Sequence, residues 1–384
     1  MTSINLHIRN AHIDFMRGIA ILLVLFHHFN LSYLLSQSAL NKVFSTDFIN
    51  AVANNGNYGV TMFFVISGFL ITSTTIERYK ALGTMDPFGF YIFRFARIMP
   101  CLVLAIALIT LFNFCGLAIF KNNANSTTSY FISIISVLTF WHNVLMQKAG
   151  WFNYCLNTFW SLSVEEVFYF SFPFICLLFK KTRFIIPLWL VFIIIAPIYR
   201  HYNSADEIAS VYGYLSCFDA IAMGCCAAVI APKIKLSVLS KSVFQWLAAA
   251  TLITVYFYSG IMENIAFGFS LVAVSTGVLL ITFQTDTPVN SLMRRIGWFG
   301  KNSYELYLFH IIVLALMKTI YKPQMLNDYT KLIWLVLFIF LSSLIAGAIE
   351  KFYSRPLNTK IRRFLLNFRY QKLSSISEAA KAIN

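Results

Sequence analysis

The stretch Asp14-Phe15-Met16-Arg17-Gly18-Ile19-Ala20-Ile21-Leu22-Leu23-Val24-Leu25-Phe26-His27-His28 decides how the chain is read. It is apolar enough to enter a bilayer, yet it carries an aspartate, an arginine and two histidines. On a helix turning about 100° per residue, Arg17 and His28 fall within roughly 20° of one face, about 16 Å apart along the axis. Asp14 lies on the same side, one turn before Arg17. An ionised residue at the centre of a membrane helix costs about 2.5 to 3.5 kcal/mol, so such groups usually face a functional interior. His27 points about 100° away and reads as the structural member of the pair.

The rest of the composition agrees with a membrane solvent. Of 384 residues, 59% are hydrophobic and 12% charged, with 39 phenylalanines. Soluble domains carry about 25% charged residues. The net charge of +15 is spread between apolar segments, as topology signals are, and forms no run or stripe suited to nucleic acid. The seven cysteines include no Cys-x-x-Cys pair and mostly fall inside apolar runs, so they read as packing residues; no metal site is expected. There is no repeat, and the first apolar run has no cleavage site that would make it a removable signal.

Segments of spanning length lie at 13–35, 57–76, 98–119, 160–179, 184–200, 212–231, 243–260, 264–283, 303–320 and 331–350. The run 130–147 is ambiguous, and the basic loops arbitrate. Arg78 to Arg97, Lys180 to Arg183, Lys233 to Lys241, Arg294 to Lys301 and Lys351 to Lys372 all fall inside if 130–147 does not cross. The expectation is therefore an all-α polytopic protein with ten crossings, both termini cytoplasmic, and 130–147 re-entrant or interfacial. One transmembrane domain covers 1–369, and 370–384 reads as a soluble tail.

Four further groups of polar residues stand out. Tyr58 to Ile71 carries Ser67-Gly68, which reads first as a close-packing site. Arg94 and Arg97 stand one turn apart before Pro100, either as phosphate-gripping guanidiniums or as interfacial anchors. In Trp160-Ser161-Leu162-Ser163-Val164-Glu165-Glu166-Val167-Phe168-Tyr169, Ser163 and Glu166 have capping-box spacing, while Ser161, Glu165 and Tyr169 share a face. Ser303, Tyr307 and His310 form a stripe at i, i+4 and i+7, equally suited to an interhelical seam and to a substrate contact. Asp219 is an isolated intramembrane charge whose partner is one of the arginines on this reading.

Taken together these stretches resemble acyltransferase family 3, the multispanning O-acyltransferases that include O-antigen and exopolysaccharide acetylases. The matching residues are Asp14-x-x-Arg17-Gly18 with His28, Phe63 to Leu70, Arg94-x-x-Arg97-Ile98-x-Pro100, Trp160 to Tyr169, and Ser303-Tyr304-x-Leu306-Tyr307-Leu308-x-His310. The chain departs from the family pattern at Val167, where glutamine is common, and at Ser354-Arg355-Pro356, where a Glu-x-Pro turn is common and Glu350 is the nearby acid. It also carries no extracytoplasmic hydrolase-like domain and reads as a stand-alone enzyme.

The resemblance implies acyl transfer, usually of acetyl, from cytoplasmic acetyl-CoA to a hydroxyl of a cell-surface or lipid-linked glycan, in the bacterial inner membrane. It implies His28 as general base, Arg17 as its motif partner, Arg94 and Arg97 as the CoA-binding pair, and Glu165 with Glu166 as a catalytic acidic motif. Asp14, Ser161, Tyr169, Asp219, Ser303, Tyr307 and His310 are expected as substrate contacts or support. A general base at His28 contributes about 10² to 10⁴ in rate. The rival reading from the residues alone is a proton-coupled transporter of a glycolipid or anionic solute, which also needs intramembrane polar groups.

Overall fold

The computed structural model describes residues 10–258, 260–283 and 289–383, with the side chains of residues 370 and 372–383 excepted. Among the described residues there is no strand; the one β-type pairing is an isolated antiparallel bridge between Asn122 and Asn153. Sixteen α-helices follow in order: α1 Ala11–Tyr33, α2 Thr46–Asn54, α3 Asn57–Tyr79, α4 Pro87–Phe114, α5 Tyr130–Leu138, α6 His142–Ala149, α7 Trp160–Phe179 and α8 Thr182–Tyr202. The second half holds α9 Glu207–Tyr212, α10 Tyr214–Ile230, α11 Val238–Tyr258, α12 Gly268–Thr282, α13 Ser291–Lys301, α14 Ser303–Ile320, α15 Asp328–Ile349 and α16 Arg355–Ile383.

Nine helical segments among the described residues are long and apolar enough to cross a bilayer. With the relatives reported below they make this a multi-pass membrane protein. The eighth predicted crossing, 264–283, is realised as α12 of 15 residues, about 22 Å of helix against a hydrocarbon core of about 30 Å. The ambiguous run 130–147 is two helices of 9 and 8 residues, α5 and α6, broken at Phe140 with φ 61°. Neither is of spanning length.

Three predicted boundaries move. The third segment begins at Pro87 rather than 98, because Pro87 at the first turn starts the helix and Pro100 is carried inside it. Arg94 and Arg97 are thus helical residues rather than a loop before a helix. The last segment does not end at 350: a five-residue π-type turn, Glu350–Ser354, leads directly into α16. The expected tail from 370 shows no break, since backbone helix continues to Ile383; its side chains beyond Gln371 and residue 384 lie outside the described residues.

Two reciprocal glycine contacts set the bundle. A Cβ on Gly68 of α3 would collide with the Ile221 carbonyl oxygen of α10, and one on Gly224 with that of Val65. In the same way Gly18 of α1 sits against the Ile296 carbonyl of α13, and Gly300 against that of Asp14. Small residues of this kind let backbones meet where lipid gives no hydrophobic drive for association. The pairings make α3 and α10 antiparallel, and α1 and α13 antiparallel. The chain then reverses at Asn302, so that α14 runs parallel to α1.

A buried ion pair holds a third junction. Arg200 Nη2 lies 2.8 Å from Asp219 Oδ2, and both side chains are essentially inaccessible. Ser270 donates to Asp219 at 2.9 Å, and Arg200 reaches the carbonyls of Ser216 and Ala266. This network ties α8, α10 and the start of α12. Asp219 therefore has Arg200 as its partner, as a supporting residue would, and lines neither cavity described below. Asp219→Ala leaves a buried guanidinium uncompensated and should cost about 3 to 5 kcal/mol. Thermal unfolding of the detergent-purified protein should show a large loss of stability; an unchanged midpoint would contradict the assignment.

Candidate active site

The polar residues singled out from sequence gather around two cavities at opposite ends of α1. The first, about 400 Å³, is lined by Arg17, Ser161, Glu165, Glu166, Tyr169, Ser303 and Tyr307, together with Arg94 and Arg97. The second, about 250 Å³, is lined by His27, His28, Thr158 and a set of asparagines and aromatics. The two share no lining residue.

At the first cavity the carboxylates come from α7. Glu165 Oε1 accepts from Tyr169 at 2.5 Å and from Ser67 of α3. Tyr169 in turn lies under the Arg94 guanidinium, 3.3 Å from its ring centre. The neighbouring Glu166 keeps a buried Oε1 with no hydrogen-bond partner among the described residues. The four-residue spacing of Ser161, Glu165 and Tyr169 thus presents one polar face, as expected. The capping-box reading of Ser163 does not hold: α7 is already preceded by a 3₁₀ turn, Leu156–Phe159, and Ser163 Oγ accepts instead from the backbone N–H of His142 at 3.1 Å. That bond caps α6 from a distant helix.

Five arginines line this cavity against two glutamates. Arg78 and Arg362, which sequence reading left among topology signals, are two of them. Their guanidinium carbons each sit 4.2 Å from the centre of the Phe93 ring, so the charges lie no farther apart than twice that distance. Neither has a carboxylate partner among the described residues. Arg362 arrives on α16, beyond the last predicted crossing; nothing in its local pattern connects it to α3 or α4. Ser67 was read as part of a packing dipeptide, and Gly68 does pack. One residue earlier on the helix, however, means a different face.

α14 forms the wall between the cavities. Ser303 accepts from Arg17 Nη2 at 2.8 Å, and seven residues later His310 meets His28. The roughly 16 Å between Arg17 and His28 is therefore not bridged; each has its own partner on α14. Between them, Tyr307 donates to the Thr158 carbonyl at 2.5 Å and accepts from Ser161 at 2.7 Å. Ser161 and Tyr307 line the first cavity while Thr158 lines the second, so these bonds close a thin partition. Asp14 lies on the α13 side of α1, where Gly297 and Gly300 pack, and lines neither cavity.

The imidazole protons can be placed by their acceptors. His28 Nδ1 lies 2.9 Å from the Val24 carbonyl and His310 Nδ1 lies 2.9 Å from the Leu306 carbonyl. A carbonyl only accepts, so in the neutral rings both Nδ1 atoms carry hydrogen. His28 Nδ1–H is then shared with His310 Nε2 at 3.3 Å. What remains to His28 is an unprotonated Nε2, the form a general base needs. His27 Nδ1 is engaged by the Ala53 carbonyl at 3.1 Å, in keeping with a structural role.

The two-ended arrangement is directly testable. In a Cys115→Ser background, Arg97→Cys at the first cavity and Asn123→Cys at the second should label with a membrane-impermeant maleimide from opposite sides of sealed vesicles. Labelling of both from one side would refute it.

Comparison with known proteins points the same way. Residues 10–349 match the family described as acyltransferase domain, acyltransferase family 3. The chain is 25% identical over 372 residues to the O-acetyltransferase OatA of Staphylococcus aureus, covering 91% of this chain and 57% of that protein. It is also 25% identical over 326 residues to the peptidoglycan O-acetyltransferase OatA of Listeria monocytogenes, covering 79% of this chain and 49% of the relative. The chain thus spans about half the length of these relatives. No solved structure matches it. With the family match running from the N-cap of α1 to the end of α15, the chain belongs to acyltransferase family 3.

Proposed function

We propose that the protein is a membrane O-acetyltransferase moving an acetyl group from acetyl-CoA, bound in the arginine-lined cavity, to a glycan hydroxyl presented in the cavity that His28 lines. The observation that carries this is the placing of a phosphate-suited cavity and an imidazole-bearing cavity end to end, with one hydrogen-bonded partition between them. The arginine-rich end faces the cytoplasm, where CoA resides, and the other end faces outward. The setting is the bacterial inner membrane. Support for the chemistry comes from the family and from relatives named as O-acetyltransferases, one of them for peptidoglycan.

The residues divide the work. Arg94, Arg97, Arg78 and Arg362 hold the phosphates and diphosphate of CoA, since guanidiniums bind phosphate in bidentate fashion. Glu165 is fixed by Ser67 and Tyr169 and keeps Arg94 in position through the Tyr169 ring. Breaking the bonds of Tyr307 to Thr158 and Ser161 opens the partition to the thioester. His28 Nε2 takes the proton of the acceptor hydroxyl as its oxygen bonds to the thioester carbonyl carbon. The C–S bond then breaks, and the proton passes from His28 to the departing CoA thiolate, giving the ester and free CoA. His310 shares the charge that develops on His28, and Arg17 with Ser303 sets the register of α14.

Protein reconstituted in nanodiscs should move label from [acetyl-¹⁴C]-CoA to a lipid-linked glycan, and His28→Ala should abolish this while still inserting and folding. A proton-coupled transporter would share the two-ended cavities, but label would stay on CoA. Arg78→Ala and Arg362→Ala should each raise the KM for acetyl-CoA about tenfold or more, the loss of a charged hydrogen bond. The same variants should leave turnover of S-acetylpantetheine, which has no phosphate, unaltered; equal effects on both donors would show that these arginines do not read phosphate.

A further inference from the structure

The second cavity is lined quite differently from the first. None of the residues around it is Asp, Glu, Lys or Arg; its polar groups are amides, phenols and the imidazoles of His27 and His28. Lys318 stacks on the Tyr154 ring at 4.3 Å but is not itself part of the lining. An anionic ligand here would lose hydration without gaining a cation, which is costly. A ligand rich in neutral hydroxyls has no such penalty.

The aromatic side of the cavity is built in advance. Trp151 stands at the lip, 47% exposed. Its ring meets Tyr212 edge to face at 5.2 Å, and Tyr212 meets the buried Trp160 in the same manner at 4.6 Å. The backbone under Trp151 is pinned as well: Asn123 donates its side-chain amide to the Trp151 carbonyl at 2.7 Å and its backbone N–H to the Phe152 carbonyl at 2.7 Å. A large ring held this firmly, yet half open to a polar cavity, is a platform for the C–H face of a pyranose. Tryptophan serves such a role because it offers apolar area at little entropic cost.

The amide side supplies hydroxyl recognition. Asn153 is occupied by structure, accepting from the N–H groups of Cys155 and Leu156 and donating to Asn122. Asn57 donates to the Tyr212 hydroxyl at 3.2 Å. Asn157 is different. It is 5% exposed, its inaccessible Oδ1 is turned to the His142 imidazole, and its amide still lines the cavity. Its amide nitrogen is left to donate to a hydroxyl oxygen of a ligand in the cavity.

We propose that this cavity takes one uncharged pyranosyl unit of the acceptor, stacked on Trp151 and hydrogen-bonded to Asn157, with a ring hydroxyl turned toward His28. The proposal rests on the acyl-transfer reading above and names the acceptor's chemistry: a neutral sugar rather than a uronosyl or phosphoryl one. Trp151 and Asn157 determine specificity and take no part in bond making.

The test uses the full chain in nanodiscs and separates acceptor binding from donor turnover. Neutral trisaccharides (chitotriose, maltotriose, mannotriose) and anionic trigalacturonate are titrated by saturation-transfer NMR, which needs no catalysis. At least one neutral sugar should bind, and Trp151→Ala and Asn157→Leu should each weaken it about tenfold. Trp151→Tyr, which keeps a ring and an interfacial anchor, should retain most of the affinity. Binding of trigalacturonate alone, no binding of any neutral sugar, or full affinity in Trp151→Ala would each overturn the proposal. Absence of acetyl-CoA turnover in the parent protein, with sugar binding intact, would instead refute the donor reading and leave this site standing.

Discussion

The close backbone approach of α1 to α13 through Gly18 and Gly300 sets the heights at which α1 and α14 meet. Gly300 comes three residues before Ser303, so pressing it onto the Asp14 carbonyl determines where α14 starts and at what height. From that start Ser303 falls at Arg17, Tyr307 at the Thr158 carbonyl and His310 at His28. A helix rises about 1.5 Å per residue, and a displacement by one residue would bring none of these three pairs together. Dispersion and backbone fit therefore place the polar groups, and the polar bonds then lock a register already chosen.

A second theme is how charge is accommodated in an apolar solvent. Arg200 and Asp219 neutralise each other, and each guanidinium nitrogen meets an acceptor, which makes the pair mortar between α8, α10 and α12. The arginines of the first cavity follow the opposite rule. They outnumber the acids, and three of them, Arg78, Arg94 and Arg362, lean on the rings of Tyr169 and Phe93. Aromatic faces hold a guanidinium in place without consuming its donors. That difference separates a structural ion pair from the proposed anion site.

The sequence made the elements and their polar faces readable, because both depend on a period of 3.6 residues. The stripe Ser303, Tyr307, His310 and the stripe Ser161, Glu165, Tyr169 are such local facts. Partnerships across helices are not local. Arg200 stood at the edge of its apolar run and offered no hint of Asp219. Ser163 and Glu166 had the spacing of a cap, yet the serine was claimed by His142 from another helix. Arg362 reached the cavity only because helix continues through the π-type turn after α15. A boundary drawn where hydropathy falls removes such a residue from view, since hydropathy reports the solvent around a helix and not where the helix stops.

The partition at Tyr307 has an electrical consequence. If the two cavities open to opposite faces as proposed, they leave a low-dielectric layer only as thick as the side chains between them. The membrane potential, which elsewhere falls across about 30 Å of hydrocarbon, is concentrated over that layer. A unit charge moved through the full potential gains or loses about 2.3 kcal/mol per 100 mV. His28 lines the second cavity beside that layer, so on this reading a proton gained or lost there is moved partly with or against the field. The energised state of the membrane thereby becomes a term in the energetics of the imidazole pair.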